Sequence, residues 1–266
     1  MHRRAFSLME LLIALAIFLV GMIAVASVIP AAARLQKATL NDALMQHARR
    51  SVEGIVSGAP ISQADLLTAS AVLPPNVSPN DYRRVHPILP VVPHWSSHDR
   101  SFPSVETDLD ARFLHWVPLA RSRVVAPSDP DHWQLFVFLL RAVPGAVYDK
   151  TGGLTFANAS GAGAGVPGVA AIAIDAWSGS RFDFDNRHFA ATPSGEADQV
   201  RAGDRILDDN GVIYVVADAD AGGATVRSAI LAAPQPPTTL WYGRPPEAGV
   251  EGPTLDVLLL AGAVAP

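Results

Sequence analysis

Apolar residues are not spread evenly along this chain. From Leu11 to Ile29 no charged residue interrupts an almost wholly apolar run. Nineteen residues in a helix span about 28 Å, close to the hydrocarbon thickness of a bilayer. A lipid-exposed segment must satisfy its own backbone hydrogen bonds, so the run is predicted to be helical and to cross a membrane. Arg3 and Arg4 precede it, which places the N-terminus on the cytoplasmic side and everything after Pro30 beyond the membrane. Pro30 lacks an amide hydrogen and crowds the carbonyl of Ala26, so a kink or local melting is expected there.

The period then changes. Leu40, Leu44, Ala48, Val52 and Ile55 recur at intervals of four or three, while Asp42, Arg49, Arg50 and Glu53 fall mostly opposite. That stripe predicts a helix continuing to about residue 57 and docking on a globular head, with Gly58 and Pro60 as its stop. Ser62 to Asp65 opens a second, short helix through about Ala71. Residues 73–104 are rich in Pro, Asn, Ser and His and read as an irregular loop.

Beyond the loop, strand patterns dominate. They cover Arg112–Leu119, Trp133–Val143, Val169–Asp175, Arg181–Asp185, Asp204–Leu207 and Val212–Asp218, with Thr254–Gly262 as a closing strand. Asp209-Asn210-Gly211 is a strong hairpin signal, because Asn-Gly tolerates positive φ. The expected fold class is α+β, a long N-terminal transmembrane helix packed on an antiparallel β-rich head. The expected division is 1–5, 6–57, 58–110 (short helix and loop) and 111–266 (head).

Charge and composition narrow the function classes. Arg3, Arg4 and Glu10 are the charged residues before Arg34. Removing them from totals of 20 basic and 25 acidic residues leaves a remainder of about −6, ordinary for an acidic domain. No basic stripe suggests nucleic acid as a partner. The chain has no cysteine, which excludes disulfides, thiolate chemistry and Cys-ligated zinc.

Glu10 is the residue that an ordinary anchor does not explain. A carboxylate inside a bilayer costs about 2.5–3.5 kcal/mol at the centre and less near the interface, so it calls for a partner. The leader MHRRA, then Phe6, Ser7, Leu8, Met9 and Glu10 before an uninterrupted apolar run, resembles the start of type IV pilins and type II secretion pseudopilins. The ALAIF stretch, Ala14–Phe18, also looks like that of the pseudopilins. The resemblance covers about residues 1–57. It implies cleavage by prepilin peptidase between Ala5 and Phe6, methylation of the new amine, and pairing of Glu10 with the amine of a neighbouring subunit. Ala5 stands where the family has Gly and keeps a small residue at the cut. The implied partners are the peptidase, the inner membrane and other pilin or pseudopilin subunits. The implied role is that of a structural subunit rather than an enzyme, a minor pilin or minor pseudopilin, since the head is large and carries a long insertion.

Other readings of these residues stay open. One is a simple signal anchor tethering an extracytoplasmic binding or enzymatic module. Another is a secretory signal cut after Ala31-Ala32-Ala33, although the apolar run exceeds the usual h-region. Weaker chemical signals complete the picture. Gly163-x-Gly165-x-x-Gly168 has the letters of a dinucleotide fingerprint, but Pro167 lies inside it and a strand follows. His94, His98 and Asp99 have ligand-like spacing in a Pro- and Ser-rich segment, with no third ligand nearby in sequence. Asp218-x-Asp220 before Gly222-Gly223 has a calcium-loop flavour, but Ala229 stands where an EF-hand needs Glu. No catalytic residue, metal ligand or cofactor is therefore assigned; calcium is the ion to test, because some pseudopilins use it structurally.

Overall fold

The computed structural model describes residues 8–69, 83–88, 95, 101–102, 114–124, 130–141, 168–185, 200–220, 222–230, 236–244, 254–260 and 264–265. Helix α1 runs from Leu8 to Gly58, 51 residues or about 75 Å, and is continuous through Pro30. The amide of Ala59 bonds to the carbonyl of Ile55 at 2.9 Å, and Pro60 follows as the expected stop. The chain falls into two compact units, residues 1–47 and 48–266.

Within the second unit, the end of α1 buries Ala48, Val52 and Val56, spaced by one turn. The buried row is displaced from the expected stripe. Ile55 is half-buried, Val56 takes its place, and Leu40 is 56% exposed. Helix α2, Gln63–Ala69, starts where the sequence placed it. Ser62 caps it: the Asp65 amide donates to Ser62 Oγ at 3.1 Å, and that hydroxyl donates to the Asp65 carboxylate at 2.7 Å.

The strands do not form the single sheet the sequence suggested. One body is a five-stranded sheet. It holds β2 (His86–Pro87), β3 (Ser101–Phe102), β4 (Leu114–Ser122), β5 (Trp133–Arg141) and β12 (Thr254–Leu260). β5 lies between β4 and β12, and the short β2 and β3 both pair with the far side of β4. Two of these strands lie in the stretch read as irregular, too short and Pro-bounded to leave a period-2 pattern. The other body is a closed six-stranded barrel. Its members are β6 (Gly168–Ser178), β7 (Arg181–Phe184), β8 (Arg205–Asp208), β9 (Ile213–Asp220), β10 (Gly223–Val226) and β11 (Thr239–Arg244), in the order β10-β7-β6-β11-β8-β9. A small parallel pair joins β1 (Ile61–Ser62) to β13 (Val264–Ala265).

Closure has local causes. Register shifts between Ile174 and Ala176 and between Thr225 and Val226 sharpen the twist of the barrel wall. At Gly223 a Cβ would collide with the carbonyl of Phe182, so only glycine lets β10 reach β7. Phe182, Ile206, Tyr214, Val216, Leu240 and Tyr242 belong to the barrel's core, where Phe182 and Tyr214 meet edge to face at 5.3 Å.

The run WQLFVFLLR of β5 is buried along nearly its whole length because both faces of its sheet are covered. Phe136, Phe138 and Leu140 share a core with Val117 and Leu119 of β4 and with Val169, Leu207 and Trp241 of the barrel. Leu135, Val137 and Leu139 alternate to the opposite face and are equally buried. On β4, Trp116 alternates with Val117 and meets Trp95 edge to face at 5.2 Å. Trp95 Nε1 donates to the carbonyl of Ala59, just past the end of α1, at 3.1 Å.

Candidate functional site

Two features merit attention as sites, the apolar start of α1 and a polar turn buried in the head. Within α1, Leu11–Pro30 is a 20-residue span of mean hydropathy 2.9, with none of its described residues buried inside the fold. Leu12, Ile13, Leu15, Phe18, Met22 and Ile29 are all more than half exposed. Such a continuous apolar cylinder has no counterpart on an ordinary soluble surface, where apolar patches are small. It fits a single-pass membrane anchor. Glu10 lies within the helix, one residue before this span. Ala5 and Phe6 lie outside the described residues.

The polar turn connects β8 to β9, the hairpin that Asp209-Asn210-Gly211 predicted. The two strands are antiparallel, with Leu207 opposite Ile213. Gly211 has φ +80°, and a Cβ there would press on Arg121 and Phe136. What the pattern did not reveal is that both aspartates of the turn are buried. Asp208 Oδ1 accepts from the amides of Asn210 at 3.0 Å and Val212 at 2.7 Å, and Oδ2 accepts from the Tyr214 hydroxyl at 3.3 Å. Burial outweighs these donors and, with Asp209 beside it, pushes the Asp208 carboxyl up to about 6.

Asp209 holds the turn to distant segments. Its Oδ2 accepts from Arg84 Nη1 at 2.7 Å and from Thr238 Oγ1 at 2.6 Å. Its carbonyl accepts from the Val85 amide at 2.9 Å. Burial raises the Asp209 carboxyl, and Thr238 and Arg84 pull against that rise. Arg84 also donates to the carbonyl of Pro236 at 3.1 Å. Two residues on, His86 is completely buried, and burial lowers its imidazole to about 4. A sequence pattern could flag the turn but not these partners, because Arg84 is 125 residues from Asp209.

The remaining candidates do not assemble into a centre. Asp220 ends β9, where its carboxylate accepts from the Gly222 amide at 2.8 Å and from Arg181 Nη2 at 3.0 and 3.1 Å. The Gly222 amide, then Arg181, hold its carboxyl below the usual range. Arg181 bridges onward to Asp183 at 2.9 Å, so protein donors already occupy the carboxylate considered for calcium. Asp218 Oδ1 accepts from the next amide, Ala219. Among the described residues no three His, Cys, Asp or Glu side chains form a metal-holding group. His94, His98 and Asp99 lie outside the described residues, as does most of the glycine fingerprint. Its last residue, Gly168, begins strand β6, the wrong context for a dinucleotide loop.

Comparison with known proteins bears on the N-terminus alone. Residues 1–26 match the family model described as the prokaryotic N-terminal methylation motif, the prepilin-type cleavage and methylation segment of type IV pilins and pseudopilins. No curated protein and no solved structure matches the chain.

Proposed function

We propose that this protein is a non-enzymatic structural subunit, a minor pilin or minor pseudopilin, of a type IV pilus or a type II secretion machine. One coincidence carries the reading. The methylation motif at residues 1–26 overlaps the apolar span Leu11–Pro30, which is not buried inside the fold. In the bilayer that helix is solvated by lipid. On assembly it exchanges lipid contacts for contacts with the same helix of other subunits, so little apolar surface meets water at either stage. Arg3 and Arg4 keep the leader cytoplasmic and the head on the far side of the inner membrane. Prepilin peptidase removes residues 1–5, and the freed amine of Phe6 becomes the partner of Glu10 on a neighbouring subunit.

Mass spectrometry of the membrane-extracted protein tests this directly. The expected mature chain begins at Phe6 and carries an N-methyl group. A mature chain beginning at Arg34 would remove the anchor and overturn the proposal. An intact Met1 terminus would favour a simple signal anchor instead.

A further inference from the structure

The segment 83–88 ties the two β bodies of the head together. At Arg84 and Val85 it is pinned to the barrel. Arg84 Nη1 reaches Asp209 Oδ2 and the Pro236 carbonyl, and the Val85 amide bonds the Asp209 carbonyl. At His86 and Pro87 it becomes β2 and pairs with the sheet, His86 opposite Ala120 and Pro87 opposite Leu119. Val85, His86 and Ile88 are all at most 1% exposed. The segment is thus a strap fastened at one end by an ion pair and at the other by burial.

His86 is the strap's weak point in acid. Its Nδ1 lies 3.0 Å from the carbonyl of Arg84, which can only accept, so Nδ1 carries the proton of the neutral ring. Nε2 is therefore the unprotonated nitrogen. It is buried and has no hydrogen-bond partner among the described residues. Among the described residues, a second proton would create a buried, charged N–H with no acceptor, which is far more costly than the neutral ring. The described surroundings supply no acceptor for Nε2. From β5 the neighbour is Trp133, edge-on at 6.1 Å, and from β4 the paired residues are Leu119 and Ala120. The titratable and charged groups on the elements around the strap are Arg83 and Arg84 on the strap itself, His115, Arg121 and Arg123 on or just after β4, Asp131 and His132 before β5, Arg141 at its end, and Asp208 and Asp209 on the barrel turn. Among these acids, Asp209 is engaged by Arg84 and Thr238, and Asp208 by its own hairpin and Tyr214.

We infer that residues 83–88 form an acid-releasable strap, which detaches from β4 and the barrel turn when His86 takes up its second proton, while the barrel stays folded. Detachment uncovers the edge of β4 at Leu119 and Ala120 and the sites filled by Val85 and Ile88. Asp208 is not coupled to this opening, because its donors, the Asn210 and Val212 amides and the Tyr214 hydroxyl, all lie on the barrel hairpin and none on the strap.

The size follows from linkage. With the ring at about 4 when closed and at its ordinary 6.5 when released, the opening equilibrium rises about 30-fold between pH 7.5 and 5. Hydrogen exchange of the full-length protein in detergent micelles reads this as a protection factor, after correction for the intrinsic pH dependence of exchange. Protection across residues 83–88 should fall about 30-fold over that range while β8 and β9 keep theirs. His86→Phe should abolish the pH dependence, and Asp208→Asn should leave it intact. Because His86→Phe could perturb the strap by itself, the imidazole is also titrated by NMR in the unaltered protein, where its apparent value should lie well below 6.5. Unchanged protection at pH 5, an equal loss in β8 and β9, an unchanged response in His86→Phe, or an imidazole titrating near 6.5 would each overturn the inference.

Discussion

Asp208→Asn should make the head more stable at neutral pH and more acid-labile at once. A carboxyl held at about 6 in the fold, against 3.8 in the unfolded chain, binds its proton more tightly when folded. Its contribution to stability is therefore complete below 3.8 and lost as pH rises through 6. The difference of roughly two units corresponds to about 3 kcal/mol. His86 has the opposite sign. Its folded value of about 4 lies below the unfolded 6.5, so its contribution is present above 6.5 and lost as pH falls toward 4, again about 3 kcal/mol. Between pH 7 and 4 these two contributions nearly cancel, so together they add little slope to the head's stability profile. The substituted amide would keep an oxygen for the Asn210 and Val212 amides while removing the charge that burial penalises. The variant should gain up to about 3 kcal/mol at pH 7.5 and lose that advantage steadily on acidification, exposing the slope that belongs to His86. All five tryptophans lie beyond residue 94, so denaturant titration followed by tryptophan fluorescence reports the head alone. A variant that is destabilised at pH 7.5, or whose stability changes with pH just as the unaltered head's does, would refute the assignment of opposing signs to these two groups.

Gly223→Ala should prevent barrel closure, because its Cβ meets the backbone of Phe182 rather than a movable side chain; a loss of several kcal/mol, read by the same titration, is expected. Arg84→Met strands the buried Asp209 carboxylate and should cost about 3–5 kcal/mol. Adding Asp209→Asn should recover part of that loss, and a double-mutant cycle with strictly additive costs would show that the pair does not couple. Glu10→Leu should leave membrane abundance unchanged but reduce incorporation into sheared filaments or pseudopili. Normal assembly at equal abundance would show that the charge has no assembly role.

The sequence revealed elements wherever one local pattern sufficed. The apolar run before Pro30 is visible because it is apolar on every side of the helix, so no periodicity is needed. β5, β8 and β9 were legible from branched and aromatic content and from the Asn-Gly turn between the latter two. β11 was missed although it pairs with both β6 and β8, because TLWYGR is short, follows prolines and ends on Gly-Arg. Barrel closure could not be read at all. It depends on Gly223 meeting Phe182 and on two bulges, and none of these is encoded in a hydrophobic alternation. The same holds for the buried turn. Asp208 and Asp209 look like exposed turn residues, and the partners that justify burying Asp209, Arg84 and Thr238, lie 125 and 29 residues away.

The distribution of strand edges gives the head and the anchor complementary roles under the proposed function. Subunits concentrated in one membrane machine risk joining through open β edges, which are templates for any other strand. Six of the head's strands have no free edge because they close on each other. Of the remaining sheet, β4 is covered along one side by β5 and at both ends of the other by β2 and β3. Acidification acts on β2, one of those covers. Among the described residues the barrel thus offers no open edge and the sheet leaves one on β12, whereas Leu11–Pro30 is an apolar span not buried inside the fold. Association is then directed to the helix, whose register a single charge at Glu10 can set because every neighbouring position in the run is apolar and would slide at little cost.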